Sequence, residues 1–253
     1  MIREPAVSGT FYPSDKHELS QMIDKFLLDA KPVFNGKLKA IIVPHAGYIY
    51  SGPIAAYAYK LIKDYKKIIL IGPSHQVYFY GAAYDESEFW QTPLGKVKIY
   101  RPNIDSEILA PMEAAHLQEH SVEVQIPFLQ KVLKDFEILP IVTGEVTPKE
   151  LSEIIVQLLD ENTLLIISSD LSHYLPYKEA VAADSVTCSA IANNNLPEFA
   201  SKGDACGKTG IEVVMHIAKK LGWKCSLLKY ANSGDTAGDK RRVVGYASFA
   251  YFK

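Results

Sequence analysis

Cysteine is scarce in this chain. Cys188, Cys206 and Cys225 are odd in number and form no C-x-x-C pair. Small proteins held together by disulfides use many cysteines, usually in even number, and fold in oxidising compartments. The sequence therefore predicts no disulfide framework and favours a reducing, cytoplasmic environment.

Long hydrophobic runs and blocks of one charge are also missing. The longest apolar runs are strand-sized, which predicts no bilayer-spanning segment, and residues 1–5 lack the apolar core of a signal peptide. The 27 Lys and Arg against 29 Asp and Glu give a net charge of −2 without a basic block. We therefore expect neither nucleic acid nor a membrane as a partner.

What the chain does contain is an alternation of strand and helix patterns. It has 253 residues, 48% of them hydrophobic, enough to bury a full core. No internal repeat, low-complexity tract or linker divides it, and the alternation excludes an all-α or all-β fold. The sequence predicts one domain over residues 1–253, an α/β three-layer αβα sandwich with a largely parallel or mixed central sheet.

Hydrophobic periodicity and capping residues place the elements. Predicted helices cover residues 15–28, 52–61, 121–134, 147–159, 177–193 and 209–221, and Pro127 predicts a kink or a split in the third. Predicted strands cover residues 40–43, 68–71, 138–142, 164–167, 226–230 and 243–251.

Three of the predicted strands run directly into a histidine. Residues 40–43 lead to His45, 68–71 to His75, and 164–167 to His173. Uniformly apolar runs are typical of strands buried on both faces of a parallel sheet. Ligands in open α/β sheets bind outside the carboxyl ends of the strands. The three imidazoles are therefore candidates for one metal or acid–base site.

His45 and His75 are the strongest of these candidates. Each follows a proline that ends a strand, so a stiff backbone would hold the imidazole in place. Asp170 and His173 lie three residues apart and would share a face if the chain turned helically there. Asp170 could then orient a histidine or bind metal, and His173 could act as a general base. The alternatives are hydrogen-bonded loop histidines and a helix-capping Asp170.

His120 and Cys206 complete the set. His120 follows Glu119 at the start of a predicted helix, where it could be a partner of a metal ligand or a proton donor. Cys206 lies three residues before Thr209, the predicted N-cap of another helix, with Lys208 nearby. A helix N-terminus and a cation both lower a thiol pKa, and the thiolate is the form that binds metal. The alternative for Cys206 is a small buried hydrophobic residue.

Several short motifs, in order along nearly the whole chain, resemble those of the Memo family. The matching segments are Arg3 with Pro5-Ala6-Val7-Ser8-Gly9-Thr10-Phe11-Tyr12-Pro13, Pro44-His45-Ala46-Gly47-Tyr48, Gly72-Pro73-Ser74-His75, Trp90 with Thr92-Pro93-Leu94, Glu119-His120-Ser121-Val122-Glu123, Ser168-Ser169-Asp170 with His173, and Cys206-Gly207. The resemblance implies a fold similar to that of the class III extradiol ring-cleaving dioxygenases.

The resemblance also implies a metal site formed by His45, His75 and Cys206, with Asp170 and His173 beside it. The related dioxygenases hold Fe(II) with two histidines and a carboxylate. Here Cys206 stands at the expected third position. Because a thiolate is a softer ligand than a carboxylate, the expected metals are iron or copper, with zinc as a third candidate, and ring cleavage is not implied.

The expected function is therefore that of a Memo-family metal-binding protein with a redox role and no settled reaction. One alternative is a non-haem iron dioxygenase or related oxidoreductase, in which His173 or His120 takes a proton from a small phenolic substrate. Others are a module that binds a peptide or small molecule without turnover, and a zinc hydrolase. For microbial members the resemblance implies radical-SAM and AMMECR-type proteins as partners.

Overall fold

The computed structural model describes residues 1–104 and 106–253. In this part of the chain, no helix is both long enough and apolar enough to cross a bilayer. The helices are α1 (Lys16–Asp29), α2 (Tyr48–Tyr59), α3 (Glu113–His116), α4 (Ile126–Val132), α5 (Pro148–Leu158), α6 (Tyr177–Ala192), α7 (Leu196–Lys202), α8 (Lys208–Leu221) and α9 (Ser233–Thr236). The strands are β1 (Ile2–Arg3), β2 (Leu38–Val43), β3 (Lys67–Pro73), β4 (Ala82–Tyr84), β5 (Phe89–Thr92), β6 (Gly95–Ile99), β7 (Leu109–Pro111), β8 (Glu137–Thr143), β9 (Thr163–Ser168), β10 (His173–Leu175), β11 (Lys224–Asn232) and β12 (Val243–Phe252).

Parallel strands form the centre of a mixed sheet. Strands β8, β3, β9 and β2 lie side by side in that order, with Ile69 of β3 opposite Leu139 of β8 and Leu165 of β9. Strand β12 then pairs antiparallel with β2, β10 and β11. Because the central strands are parallel, their carboxyl ends meet at one edge of the sheet.

The two faces of the sheet support two separate hydrophobic cores. Successive side chains of a strand point to opposite faces. Ile41 of β2 therefore packs with residues of α1, α2 and α4, whereas Ile42 packs with residues of α5, α6, α7 and α8. Burying each such side chain contributes about 1.5–3 kcal/mol, which explains the continuous apolar runs. The predicted three-layer arrangement is confirmed.

Most helix bounds agree with the sequence pattern, and the split at Pro127 is confirmed. A 3-10 turn over Glu123–Gln125 precedes α4, and Pro127 lies in the first turn of α4. A proline is tolerated there because the N–H it lacks would have had no partner within the helix. Because the α-helix begins only at Ile126, His120 lies in the loop before it.

Two helix starts differ from the prediction. Helix α2 begins at Tyr48, four residues earlier than expected, and α8 begins at Lys208 with Gly207 at its N-cap, so Thr209 lies inside the helix. At Gly207 a Cβ atom would lie only 2.5 Å from the carbonyl oxygen of Ser168. This close approach explains why a glycine precedes α8, and it brings Cys206 against the end of β9.

A buried ion pair fastens the N-terminal segment to the loop before α4. Arg3 Nη1 lies 2.6 Å from Glu123 Oε2, and both side chains are almost fully buried. The Glu123 carboxylate also accepts hydrogen bonds from the backbone of Ala6 and Val7 and from the Tyr12 hydroxyl. Removing one member of such a pair leaves an unpaired buried charge.

We predict that Glu123→Gln lowers the free energy of unfolding by about 3 kcal/mol, because Arg3 loses its charged partner in the interior. Urea denaturation measures this change. The matched control is Glu137→Gln, which breaks the exposed pair with Lys98 and should lower stability by less than about 1 kcal/mol. Equal losses in the two variants would contradict the structural role of the buried pair.

Candidate metal centre

Three histidines meet at the carboxyl edge of the parallel strands. His45 follows β2 by two residues and His75 follows β3 by two residues, while His120 comes from the loop between α3 and α4. The ring centroids are 5.2 Å apart for His45 and His75, 5.5 Å for His45 and His120, and 4.6 Å for His75 and His120. One nitrogen of each ring lies within 4.8 Å of the others. We call these three residues the histidine cluster.

The tautomer of His45 follows from its hydrogen bonds. Its Nδ1 lies 2.9 Å from the Ser168 hydroxyl. That hydroxyl already donates its proton to the Ser121 carbonyl and accepts an N–H from Gln125, so it can only accept from His45. Nδ1 therefore carries the proton, and Nε2 has a free lone pair. This is the form of imidazole that binds a metal ion.

Glu119 gives His75 the same tautomer. The His75 Nδ1 lies 2.9 Å from Glu119 Oε1, and the His75 backbone N–H donates to Oε2 at 2.6 Å. Glu119 is fully buried, which opposes ionisation. Hydrogen bonds from the His75 ring and from the backbone of His75 and Ser121 outweigh burial and lower the pKa of Glu119 to about 2. The carboxylate thus fixes the orientation of the His75 ring, as carboxylates do for metal-binding histidines in proteins.

His120 is held by the same carboxylate and by aromatic contacts. Its backbone N–H donates to Glu119 Oε1 at 2.9 Å, and its Nδ1 lies 3.4 Å from that oxygen. The ring stacks on His75 with an interplanar angle of 26° and contacts Phe11 at a centroid distance of 4.6 Å. The sequence suggested a supporting role for His120, whereas the structure brings its ring into the cluster.

Burial and mutual repulsion favour the uncharged imidazoles. Burial, followed by the charges that His120 and His75 could carry, places the pKa of His45 well below its ordinary value. Burial also lowers the pKa of His120, against the opposing effect of Glu119. Both rings are therefore neutral near pH 7, so a metal ion would not have to displace a proton from either.

Cys206 lies against the free nitrogen of His45. Its Sγ is 3.1 Å from His45 Nε2, and the Asp170 backbone N–H donates to Sγ at 3.2 Å. The contact places the thiol next to one member of the histidine cluster, although 161 residues separate Cys206 from His45.

The expectation of a lowered thiol pKa at Cys206 is wrong. Burial, followed by the charge of the Asp170 carboxylate, raises the pKa of Cys206 to about 12. Lys208 gives no compensation, because its ammonium turns away and donates to the carbonyl of Ala200 at 2.7 Å. The chain itself therefore keeps the thiol protonated, and its hydrogen can be donated to the free Nε2 of His45.

Asp170 supports the backbone of the His45 loop. Its Oδ1 accepts the His45 backbone N–H at 2.8 Å, and the Ala46 backbone also donates to it. Burial raises the pKa of Asp170 to about 7, partly offset by these two hydrogen bonds. The carboxylate thus fixes the position of His45 by holding its main chain.

His173 does not continue a helical turn from Asp170. It begins β10 and pairs with Val244 of β12, so the conditional expectation of a shared helical face is wrong. The change of direction follows from pairing with β12, which a local pattern does not show. The His173 ring remains partly exposed, and it lies near enough for its charge to lower the pKa of His45.

A crevice of about 480 Å³ opens beside the cluster. His75 and Cys206 form part of its wall, together with Tyr78, Glu145 and Thr209. The volume suits a small molecule, and polar groups line much of it.

Sequence reasoning missed two residues that organise the site, Ser168 and Gln125. The hydroxyl of Ser168 fixes the His45 tautomer, and the Gln125 amide donates to that hydroxyl at 2.8 Å. Polar residues at the end of the apolar β9 run and inside an apolar helix pattern were the available signals.

The chain is similar over nearly its whole length to one family of known proteins. The Memo-like protein family model matches residues 3–250. A MEMO1 family protein of Aquifex aeolicus is 41% identical, with 99% of each chain covered, and one of Archaeoglobus fulgidus is 36% identical with the same coverage. A third, from Pyrobaculum arsenaticum, is 40% identical and covers 100% of this chain and 99% of its own. The chain therefore belongs to the Memo family.

Proposed function

We propose that this chain binds a transition-metal ion, iron or copper, through the histidine cluster together with Cys206, and that the bound ion has a redox role. The observation that carries the proposal is the preset tautomer of His45 and His75. Each donates its Nδ1 hydrogen to a buried oxygen, so each presents an unprotonated Nε2. Metal-binding histidines in proteins have the same type of support.

The donor set fits such an ion. Nitrogen atoms of three imidazoles lie within 4.8 Å of one another, and imidazole suits iron, copper and zinc. A bound ion would supply electron exchange or Lewis acidity. The chain supplies the oriented imidazoles, and the Phe11 ring packs against His120 at a centroid distance of 4.6 Å.

Cys206 is the fourth member of the proposed set. Its Sγ lies 3.1 Å from His45 Nε2, so the sulfur is against the lone pair of one candidate ligand nitrogen. With an ion bound, Cys206 would supply a thiolate beside that imidazole. A thiolate ligand favours softer ions, which supports copper or zinc alongside iron.

Asp170 and Glu119 position the histidines, and His173 is the candidate for proton transfer. Asp170 holds the main chain of His45, and Glu119 holds both His75 and His120. His173 is partly exposed beside the cluster, which suits a group that accepts or donates a proton.

Ring cleavage by a non-haem iron dioxygenase has less support than simple metal binding. The 2-His-1-carboxylate arrangement needs a carboxylate ligand. Among the described residues, the histidine cluster contains none, and Glu119 is occupied by hydrogen bonds. A ligand in the crevice, radical-SAM and AMMECR-type partners and a cytoplasmic location stay predictions from the sequence and the resemblance.

We predict that Cys206→Ser removes the thiolate-to-metal charge-transfer absorption that forms when Co²⁺ is added anaerobically to the purified protein. It should also weaken Co²⁺ binding by at least about tenfold, because a serine hydroxyl is a poorer ligand. Cys188→Ser is the control, since Cys188 is buried in α6. If the absorption persists in the Cys206 variant, the thiol is not a ligand. If no variant and no wild-type protein binds Co²⁺, Fe²⁺ or Cu⁺, the proposed function fails.

A second prediction decides whether His120 or His173 is a metal ligand. We expect His120→Ala to weaken metal binding by more than about 100-fold, because loss of a supporting partner alone already weakens binding about 10- to 100-fold. His173→Ala should change metal affinity by less than about threefold. Competition with a chromogenic chelator measures both. The reverse order would replace His120 by His173 in the ligand set.

A third prediction concerns the supporting carboxylate. Glu119→Gln should weaken metal binding by about 10- to 100-fold, because the His75 ring loses its charged partner. Glu145→Gln makes the same change of charge in the crevice wall and should leave metal affinity within about twofold of wild type. Indistinguishable affinities in the two variants would remove Glu119 from its supporting role.

A further inference from the structure

A basic segment between α9 and β12 lies beside His173, next to the loop that carries Asp170. Lys240, Arg241 and Arg242 are consecutive and exposed. Arg242 lies two residues before Val244, which pairs with His173. Gly245 of β12 also exchanges backbone hydrogen bonds with Leu171 and Ser172, and the preceding Asp170 holds the His45 backbone. The segment is therefore joined to the loop that supports the proposed metal centre.

Lys240 is held in place before any ligand arrives. Its Nζ lies 4.6 Å from the ring centroid of Tyr177, and the Tyr177 backbone N–H donates to the Lys240 carbonyl at 3.2 Å. The Lys240 stem packs against Gly234 in the short helix α9. A capping box of Asn232 and Asp235 fixes that helix.

Arg242 contacts an aromatic ring in the same way, that of Tyr174. The guanidinium carbon lies 5.3 Å from the Tyr174 ring centroid, and Tyr174 is 62% exposed. The Tyr174 backbone has φ of +62°, a left-handed conformation that is unfavourable for a bulky residue, and the pairing of β10 with β12 shifts register there. Strained residues of this kind concentrate at functional sites, because the surroundings must hold them in place.

Within the part of the chain that the structure describes, Lys240 and Arg242 have no carboxylate partner of their own, so both can bind an anion. Arg241 forms an ion pair with Asp239 at 2.8 Å. Among the described residues, no carboxylate oxygen lies within 4.0 Å of Lys240 Nζ or of the Arg242 guanidinium nitrogens. Asp235 is the nearby acid, and it is engaged by the Tyr177 hydroxyl and the Asn232 backbone.

We propose that Lys240 and Arg242, each stacked on a tyrosine, form an arm that binds the oxyanion of a small-molecule substrate of the metal centre. The oxyanion is a carboxylate or a phosphate, the groups that guanidinium and ammonium ions recognise. This inference rests on the proposed function, since it names the substrate class of that site. Stacking lowers the entropy that the two long side chains lose on binding.

A small molecule fits the arm better than an acidic protein does. The segment offers only two cations without a carboxylate partner among residues 1–104 and 106–253, it leads into the strand that pairs with His173, and the chain as a whole carries a net charge of −2. A surface that binds an acidic protein would extend the positive charge over a larger area.

The test is a titration of the chelator-treated, full-length protein with methyl phosphate and with acetate, followed by amide NMR shifts of residues 173–177 and 240–244. We expect saturable binding of at least one anion, weakened at least about tenfold in Lys240→Gln/Arg242→Gln. Arg241→Gln removes a positive charge from the same loop, and it should change affinity less than about twofold. Tyr174→Ala keeps every charge and should weaken binding about threefold.

Three results would contradict the proposed anion-binding arm. The first is the absence of a saturable shift with either anion, and the second is an equal loss of anion affinity in Arg241→Gln and in the double variant. The third is a hexaglutamate peptide that binds far more tightly than both small anions. The last result would make the surface a docking site for an acidic macromolecule. Because the titration uses metal-free protein, it is independent of the metal-binding test. If the protein binds an anion but no metal, the anion site is supported and the proposed function is rejected. If it binds a metal but no anion, only the proposal of the anion-binding arm is rejected.

Discussion

The buried carboxylate of Glu119 is the contact on which the arrangement of the histidine cluster depends. It accepts the backbone N–H and the ring Nδ1–H of His75, and also the backbone N–H groups of His120 and Ser121. These donors come from two loops that are remote in sequence. Their combined effect keeps the carboxylate ionised in the interior, where an unpaired charge would be strongly unfavourable. Because one anion satisfies both loops, neither can move without leaving a buried charge under-solvated. Ser121 extends the constraint, since its carbonyl accepts the Ser168 proton that sets the tautomer of His45.

The same loop is fixed from its other end by the N-terminal segment. Arg3 donates to the carbonyls of His116 and Glu119 and pairs with Glu123. The Glu123 carboxylate in turn holds the backbone of Ala6 and Val7, and the Val7 carbonyl accepts the backbone N–H of Phe11, whose ring lies against His120. Two buried carboxylates four residues apart therefore have different tasks. Glu123 anchors the segment to the rest of the fold, and Glu119 orients the imidazoles of His75 and His120 within the histidine cluster.

Much of the fold and part of the site could be predicted from the sequence. Continuous apolar runs identified β2, β3 and β9, and their carboxyl ends identified His45 and His75 as neighbours. The split at Pro127 followed from the chemistry of proline. The prediction for His120 was incomplete, because its ring enters the cluster only through the contact of Glu119 with the His75 loop, 44 residues away. The helical turn expected from Asp170 to His173 was wrong, since the pairing of His173 with β12 decides the local conformation.

The sequence by itself determined the alternation of buried strands and amphipathic helices, and with it the edge at which polar residues collect. Those features depend on periodicity and on local backbone preference, which act over a few residues. Tertiary structure decided the protonation states of the polar groups and the residues that they contact. Cys206 shows the difference most clearly. Its position near a helix start predicted a lowered thiol pKa, whereas burial beside Asp170 raises that pKa to about 12 and places the sulfur 3.1 Å from His45. Desolvation and charge proximity depend on which distant segments pack together, and no local pattern of residues contains that information.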